Sequence, residues 1–299
     1  MLCVLPRERQ HDLSELLEAY RARGFEPQVE HYRSSPPDLA ALVSQVPLAA
    51  AMLARAASFA PRTMLPGAWL EGPTGRVPTA WLPIHSKLGL KRFAATAARV
   101  QRRERQVKSI ALLGQWQPRY LRIADRIEQL LQGIAHTLRW TEEAIGRTDL
   151  VAALGSGLGL GLYVGHGRPI GWAGYHGTRR HHFDAFSGEP MGALMSLCCL
   201  TASRRRTGLS YAEALPLMGV TAASFGAIED TLHTDNTRWA VRICDALQSG
   251  VETIGDLIIR SAPAAPRTTA AYRLIGDPLA PLHAEASGYA LATTIPTYA

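Results

Sequence analysis

Cysteine is scarce in this chain of 299 residues. The four present, Cys3, Cys198, Cys199 and Cys244, are too few and too irregularly spaced for a disulfide-stapled secreted fold or a paired CxxC zinc site. They read as reduced thiols in an intracellular, cytoplasmic protein. Long apolar runs are missing too. The stretch 150–166, free of charged side chains, contains five glycines and falls short of the roughly 20 apolar residues of a spanning helix. The opening MLCVLPRERQ reaches charge before an export signal's apolar core could form, so neither membrane nor export is expected. Lysine is nearly absent, with Lys87, Lys91 and Lys108 the only ones among 32 basic residues. The net charge of +7 therefore rests on arginines, dispersed among 25 acids apart from 102–105 and 204–206. Without interleaved aromatics, that pattern argues for no nucleic-acid partner.

What is present is globular: 47% apolar and 19% charged residues exclude a disordered, collagenous or coiled-coil chain, and the length suggests two domains. In 11–23, Leu13, Leu16, Leu17 and Tyr20 repeat at helical spacing before Gly24. The alanine- and leucine-rich 37–59 reads as a second helix behind a Ser-Pro-Pro-Asp start. Five prolines make 61–84 extended or looped, and 87–105 reads as a basic helical connector. From Val107 the texture changes to short apolar strands alternating with amphipathic helices. Strands are expected at 107–113, 134–140, 158–164, 192–198 and 220–225, and helices at 120–131, 148–154, 210–218 and 236–248. Regular alternation predicts an α/β fold with a mostly parallel sheet flanked by helices, after an N-terminal mainly helical region. The expected division is 1–105 as a regulatory or docking region, 106–285 as the main domain and 286–299 as a tail.

In such sheets chemistry gathers at the carboxyl ends of strands. Two of these ends are unusual: Tyr163-Val164-Gly165-His166-Gly167 and Ser196-Leu197-Cys198-Cys199-Leu200-Thr201. A thiol needs a base to become a thiolate at neutral pH, and a histidine on a neighbouring strand end can serve, later protonating an amine leaving group. Glycines flanking His166 would let a substrate backbone approach, and the Gly167 and Cys199 amides could together hold an oxyanion. Neighbouring strand residues point to opposite faces, so one of the two cysteines faces His166 and the other packs in the core. Cys244 reads as helix packing.

These two strand ends, together with Gly171-Trp172 and the later Tyr272-Arg273-Leu274-Ile275-Gly276-Asp277-Pro278-Leu279, resemble the gingipain-type cysteine peptidases, relatives of the caspases, over 107–282. The resemblance implies a caspase-like fold, His166 as general base and acid, Cys199 as nucleophile, and a thiol endopeptidase acting on a protein substrate. The family pattern leaves Cys198 to the core. Bacterial members of that kind often serve defence, including antiviral defence, or cell death. The Gln-Ala-Cys-x-Gly form of animal caspases is absent. The alternative is an inactive peptidase-like scaffold that binds a partner.

For substrate binding the candidates are Trp172, with Arg119 for an acidic preference and Glu229 and Asp230 for a basic one. His176, His181, His182 and Asp184 lack a metal-ligand spacing, and the glycines of 155–159 lead into a strand with no Gly-Lys-Ser/Thr behind them, so no metal or other cofactor is expected.

Overall fold

The computed structural model describes residues 1–104 and 107–284, with residues 290, 292 and 293. The chain opens with β1 (Leu2–Pro6), α1 (Ser14–Ala22), β2 (Gln28–Tyr32), α2 (Leu39–Val43), β3 (Ala51–Ala56), α3 (Pro61–Met64), β4 (Trp69–Gly72), β5 (Gly75–Ile84) and α4 (Lys87–Gln101). There follow β6 (Val107–Gly114), α5 (Pro118–Leu131), β7 (His136–Arg139), α6 (Arg147–Ala153) and β8 (Leu160–Val164). Beyond it come the ribbon strands β9 (Gly167–Arg168) and β10 (Gly171–Trp172), the single turn α7 (Gly174–Gly177) and β11 (Met191–Leu197). The last third holds α8 (Tyr211–Leu217), β12 (Thr221–Ala227), α9 (His233–Gln248), α10 (Ile254–Ser261), α11 (Pro266–Ala271), β13 (Tyr272–Gly276) and β14 (His283–Ala284).

One twelve-stranded sheet runs in the order β14-β6-β8-β11-β12-β13-β5-β3-β1-β2, with β7 beside β6 and β4 beside β5. It is the mostly parallel, helix-flanked sheet that the alternation predicts. Its direction reverses near the middle, where β13 is antiparallel to β12 and parallel to β5, while β14 runs antiparallel to β6 and β4 antiparallel to β5. The strands β6, β8, β11 and β12 therefore run one way, and β13, β5, β3 and β1 the other. Their carboxyl ends lie on opposite edges of the sheet.

Strand alternation divides the core. Leu160, Leu162 and Val164 of β8 and Ala193, Met195 and Leu197 of β11 face one side, where α1, α4, α5, α9 and α10 supply Leu16, Phe93, Ile127, Trp239 and Leu257. Tyr163, Leu194 and Cys198 face the other, among Leu150, Tyr211 and Leu215 of α6 and α8. Burial on both faces explains the near-continuous apolar reading of these strands.

The expected helix over 37–59 is corrected: the chain forms α2, breaks, and enters β3. Pro47 lacks the N–H an interior helical turn needs, and the preceding residue is pushed away from helical angles. Ala51–Ala56 is then held as strand by pairing on both sides, to β1 and β5, a tertiary constraint that outweighs alanine's helical preference. The first 84 residues thus contribute five strands to the sheet as well as helices. The helix expected over 87–105 ends at Gln101, with Arg105 outside the described residues. The expected tail 286–299 lies almost wholly outside them.

Two buried polar clusters tie the opposed blocks together. Glu213, fully buried at the start of α8, pairs with Arg204 at 2.7 Å, accepts Trp81 Nε1–H of β5 at 2.8 Å, and closes a capping box with Ser210. Asp277 accepts the Tyr20 hydroxyl at 2.6 Å and Gln101 Nε2–H at 2.6 Å, joining the segment after β13 to α1 and α4. Burial pushes its carboxyl up to about 6.

Candidate active site

β8 and β11 are neighbouring parallel strands, with Leu197 opposite Val164, so the residues just past them emerge side by side at one edge. His166 and Cys199 follow on there. Both line one groove between the amino ends of α5 and α9, with Arg119, Tyr120, Val164, Leu197, Thr231, His233 and Asn236. The two cysteines differ sharply. Cys198 is buried among the residues of the Tyr163 face, and burial, followed by the neighbouring Cys199, raises its thiol well above the ordinary range. Cys199 is half-buried and turned to the groove.

The backbone of His166 is held at both ends. Its N–H donates to Gln115 Oε1 at 3.0 Å, and its carbonyl accepts Ala173 N–H at 2.9 Å and the Tyr163 hydroxyl at 3.0 Å. The ring packs edge-on against Tyr120, with centroids 5.7 Å apart. Arg119 Nη2 lies 2.6 Å from His166 Nε2. A guanidinium only donates, so Nε2 is the acceptor and the neutral ring carries its proton on Nδ1. Partial burial, then Arg119, then His233 lower the imidazole's affinity for a proton.

On the other side, Cys199 Sγ accepts Thr231 N–H at 3.3 Å. Thr231 is itself fixed: its hydroxyl accepts Asn236 Nδ2–H at 2.9 Å, and Asn236 Oδ1 accepts the buried Tyr272 hydroxyl at 2.8 Å. This chain of bonds anchors the sulfur to β13 in the middle of the sheet. Leu200, next to Cys199, sits at φ 63°, a left-handed conformation that costs a non-glycine residue about 1–2 kcal/mol. Gly167 explains why His166 is followed by glycine. A Cβ there would stand 2.2 Å from the Cys199 carbonyl oxygen, so the two strand ends could not close up with any side chain at 167.

Other expected site residues fall elsewhere. Trp172, expected to bind substrate, is buried; its indole N–H donates to Ser196 Oγ at 2.9 Å and its ring stacks on Tyr163 at 4.3 Å. It braces the tyrosine that holds the His166 carbonyl. Glu229 and Asp230 line a separate neighbouring groove with Leu232 and Arg267, and Glu229 is engaged by Arg62 at 2.9 and 3.1 Å. Arg119 is the one substrate candidate brought to His166 and Cys199. His181 and His182 pack ring on ring at 4.2 Å, and no three metal-ligating side chains gather among the described residues. The sequence reading missed Thr231, His233 and Asn236. The strand-end rule applied beyond β12, as it was beyond β8 and β11, points to all three.

Residues 90–283 match the family model of peptidase family C25. No curated protein sequence matches the chain. Among solved structures, gingipain R (RGPB), an Arg-specific cysteine proteinase, superposes with a TM-score of 0.77 at 14% identity, over 94% of this chain and 77% of that one. The complex of Porphyromonas gingivalis RgpB pro- and mature domains follows at 0.73 and 15%, over 94% and 79%. The Saccharomyces cerevisiae separase–securin complex matches at 0.51 and 15%, over 76% of this chain and 16% of that one. At such identities the likeness shows a shared fold.

Proposed function

The chain belongs to peptidase family C25, and from that premise we propose that it is a thiol endopeptidase in which Cys199 is the nucleophile and His166 the general base and acid. The observation that carries this reading is the meeting of the two residues in one groove at adjacent strand ends, with the second thiol turned into the core. His166 takes the thiol proton, and Cys199 Sγ attacks the scissile carbonyl carbon. The resulting oxyanion accepts hydrogen bonds from the Gly167 and Cys199 amides. His166 returns the proton to the departing amine as the C–N bond breaks, and water then hydrolyses the thioester. The Thr231 N–H supports the sulfur while it carries negative charge.

The reading extends to location and partner. All four thiols are free, which suits a reducing interior, and no described helix is long and apolar enough to cross a membrane. We place the enzyme inside the cell, cutting a partner protein as defence or cell-death peptidases do. The first 105 residues act as an integral part of the folded unit on this reading, because their strands continue its sheet.

Incubation with a peptide library, read by mass spectrometry, tests the activity. Cleavage that disappears in Cys199→Ala and in His166→Ala supports the reading. Cleavage that survives either substitution, or a folded wild-type protein that cuts nothing and whose Cys199 alkylates at the same rate with and without His166, refutes it.

A further inference from the structure

Charge is distributed one-sidedly in the groove. Its ionisable lining consists of Arg119, Tyr120, His166, His233, Cys199 and the buried Cys198, and no described Asp or Glu lines it. The amino ends of α5 and α9, helices of 14 and 16 residues, open onto the same space and add partial positive charge. Arg119 is the only permanent cation there. Arg62, Arg99, Arg139 and Arg204 each pair with a carboxylate, whereas none pairs with Arg119 among the described residues. Its guanidinium lies 4.6 Å over the Tyr120 ring, its Nε–H is buried without an acceptor, and Nη2 spends its bond on the His166 imidazole. A buried donor left without a partner in a groove free of acids is a site waiting for an anion.

The bond to His166 has a chemical consequence. The Nε2 lone pair is occupied by a donor, and the adjacent positive charge opposes protonation of the ring. In this state the imidazole is a poor base. A carboxylate entering the groove offers the guanidinium a charged, two-pronged acceptor, a stronger partner than one neutral ring nitrogen.

We propose that Arg119 is the specificity-determining residue of the groove, binding an acidic side chain of the substrate, and that this capture draws the guanidinium off His166 Nε2 and frees the imidazole for catalysis. The proposal rests on the peptidase reading and deepens it: the substrate's own charge switches on the base. A basic substrate side chain would meet Arg119 as a like charge. Of the two acids just before Thr231, Asp230 lines the neighbouring groove and Glu229, in that same groove, is already taken by Arg62.

The test uses the whole chain and fluorogenic peptides that differ only in the residue before the cut. Asp or Glu should exceed Asn, Gln and Arg in kcat/KM by at least about tenfold, the scale of one lost charge-assisted bond. Arg119→Gln should reduce the acid-to-amide ratio to near one, and Arg119→Lys should keep part of it. The second readout is the His166 ring signal in a pH titration by NMR, in the inert Cys199→Ala protein. The groups facing that ring are Arg119 and Tyr120 of α5, His233 of α9, and the β11 end. A noncleavable peptide with Asp before the scissile position should move the His166 titration to higher pH. Arg119→Gln should start higher and not move with the peptide. An acid preference that persists in Arg119→Gln, a preference for basic or uncharged residues, or a His166 titration indifferent to the acidic peptide overturns the proposal while leaving the thiol peptidase intact. If no peptide is cut and Cys199 alkylates equally fast in His166→Ala, the peptidase reading fails and takes the proposal with it.

Discussion

Past the carboxyl ends of β8, β11 and β12 stand His166, Cys199 and Thr231, joined in one groove; past those of β1, β3 and β5 stand Arg7, Ala57 and His85, on the opposite edge of the sheet. Both blocks are parallel, apolar inside and covered by helices, and each holds a cysteine in a strand or at its end. Cys3 sits within β1, fully buried, its thiol pushed up to about 12 by desolvation. Cys199 lies two residues past the end of β11, half in solvent, with a backbone N–H on its sulfur. The scaffold is shared, and the chemistry follows from what the chain does immediately after the strand. The block without a site serves the other by pairing β5 to β13, from which Tyr272 steadies Asn236.

Removing the second block should have the largest effect. A chain lacking residues 1–84 exposes the edge of β13 and one face of α4, and we expect insoluble protein without a cooperative unfolding transition by circular dichroism. A soluble, folded truncation would show that the blocks are independent. Next in size, Cys199→Ala should lower kcat by at least about a thousandfold, while Cys198→Ala should keep most activity and lose about 1 kcal/mol in denaturant melts. Faster iodoacetamide labelling of Cys198 than of Cys199 would reverse the contrast. Glu213→Ala, at the seam, should cost about 3–5 kcal/mol, because Arg204 is left largely buried without its carboxylate and Trp81 loses its acceptor. A cost below about 1 kcal/mol would mean that the β5–β13 ladder and the Asp277 cluster join the blocks with little help from Glu213.

The smallest effect is a pH dependence. Asp277 holds its proton in the folded protein up to about 6, above the unfolded value of about 3.9. A raised carboxyl binds more protons folded than unfolded between those values. Its contribution is therefore complete below about pH 4 and is lost as the pH rises toward 6, on the order of 1–3 kcal/mol. Comparing urea melts of wild type and Asp277→Asn at pH 4.5 and 7 isolates it, and equal pH slopes in the two proteins would exclude Asp277 as the cause.

How much of this was legible in the sequence differs between the blocks for a physical reason. In the block with the site, strands buried on both faces read as unbroken apolar runs, and α5 and α9 show apolar residues at helical spacing, so element type followed from periodicity. Strand alternation also separated the cysteines, since Cys198 continues the Leu194 face and Cys199 the Leu197 face. The other block hid its strands. Leu2–Pro6 is only a short apolar start, and Ala51–Ala56 is alanine-rich, strand only because β1 and β5 flank it. Trp172 and Arg119 show the same limit within the site. Trp172 follows His166 closely in sequence and Arg119 lies 47 residues before it, yet Arg119 is the one that reaches the groove, because of the Tyr163 stack that holds Trp172 and the first turn of α5, neither of which spacing reveals.

The pairing of Leu274 with Ala80 and of Ile275 with Trp81 also has a consequence in time. On a ribosome adding roughly 5–20 residues per second, β5 emerges on the order of ten to forty seconds before its partner β13 exists. During that interval β5 presents an unpaired edge, and Asn236 and Thr231 lack the Tyr272 that fixes them. The nascent chain would thus carry its thiol long before Tyr272 can steady the residues beside it, and the contact that does so would be among the last of the sheet to form.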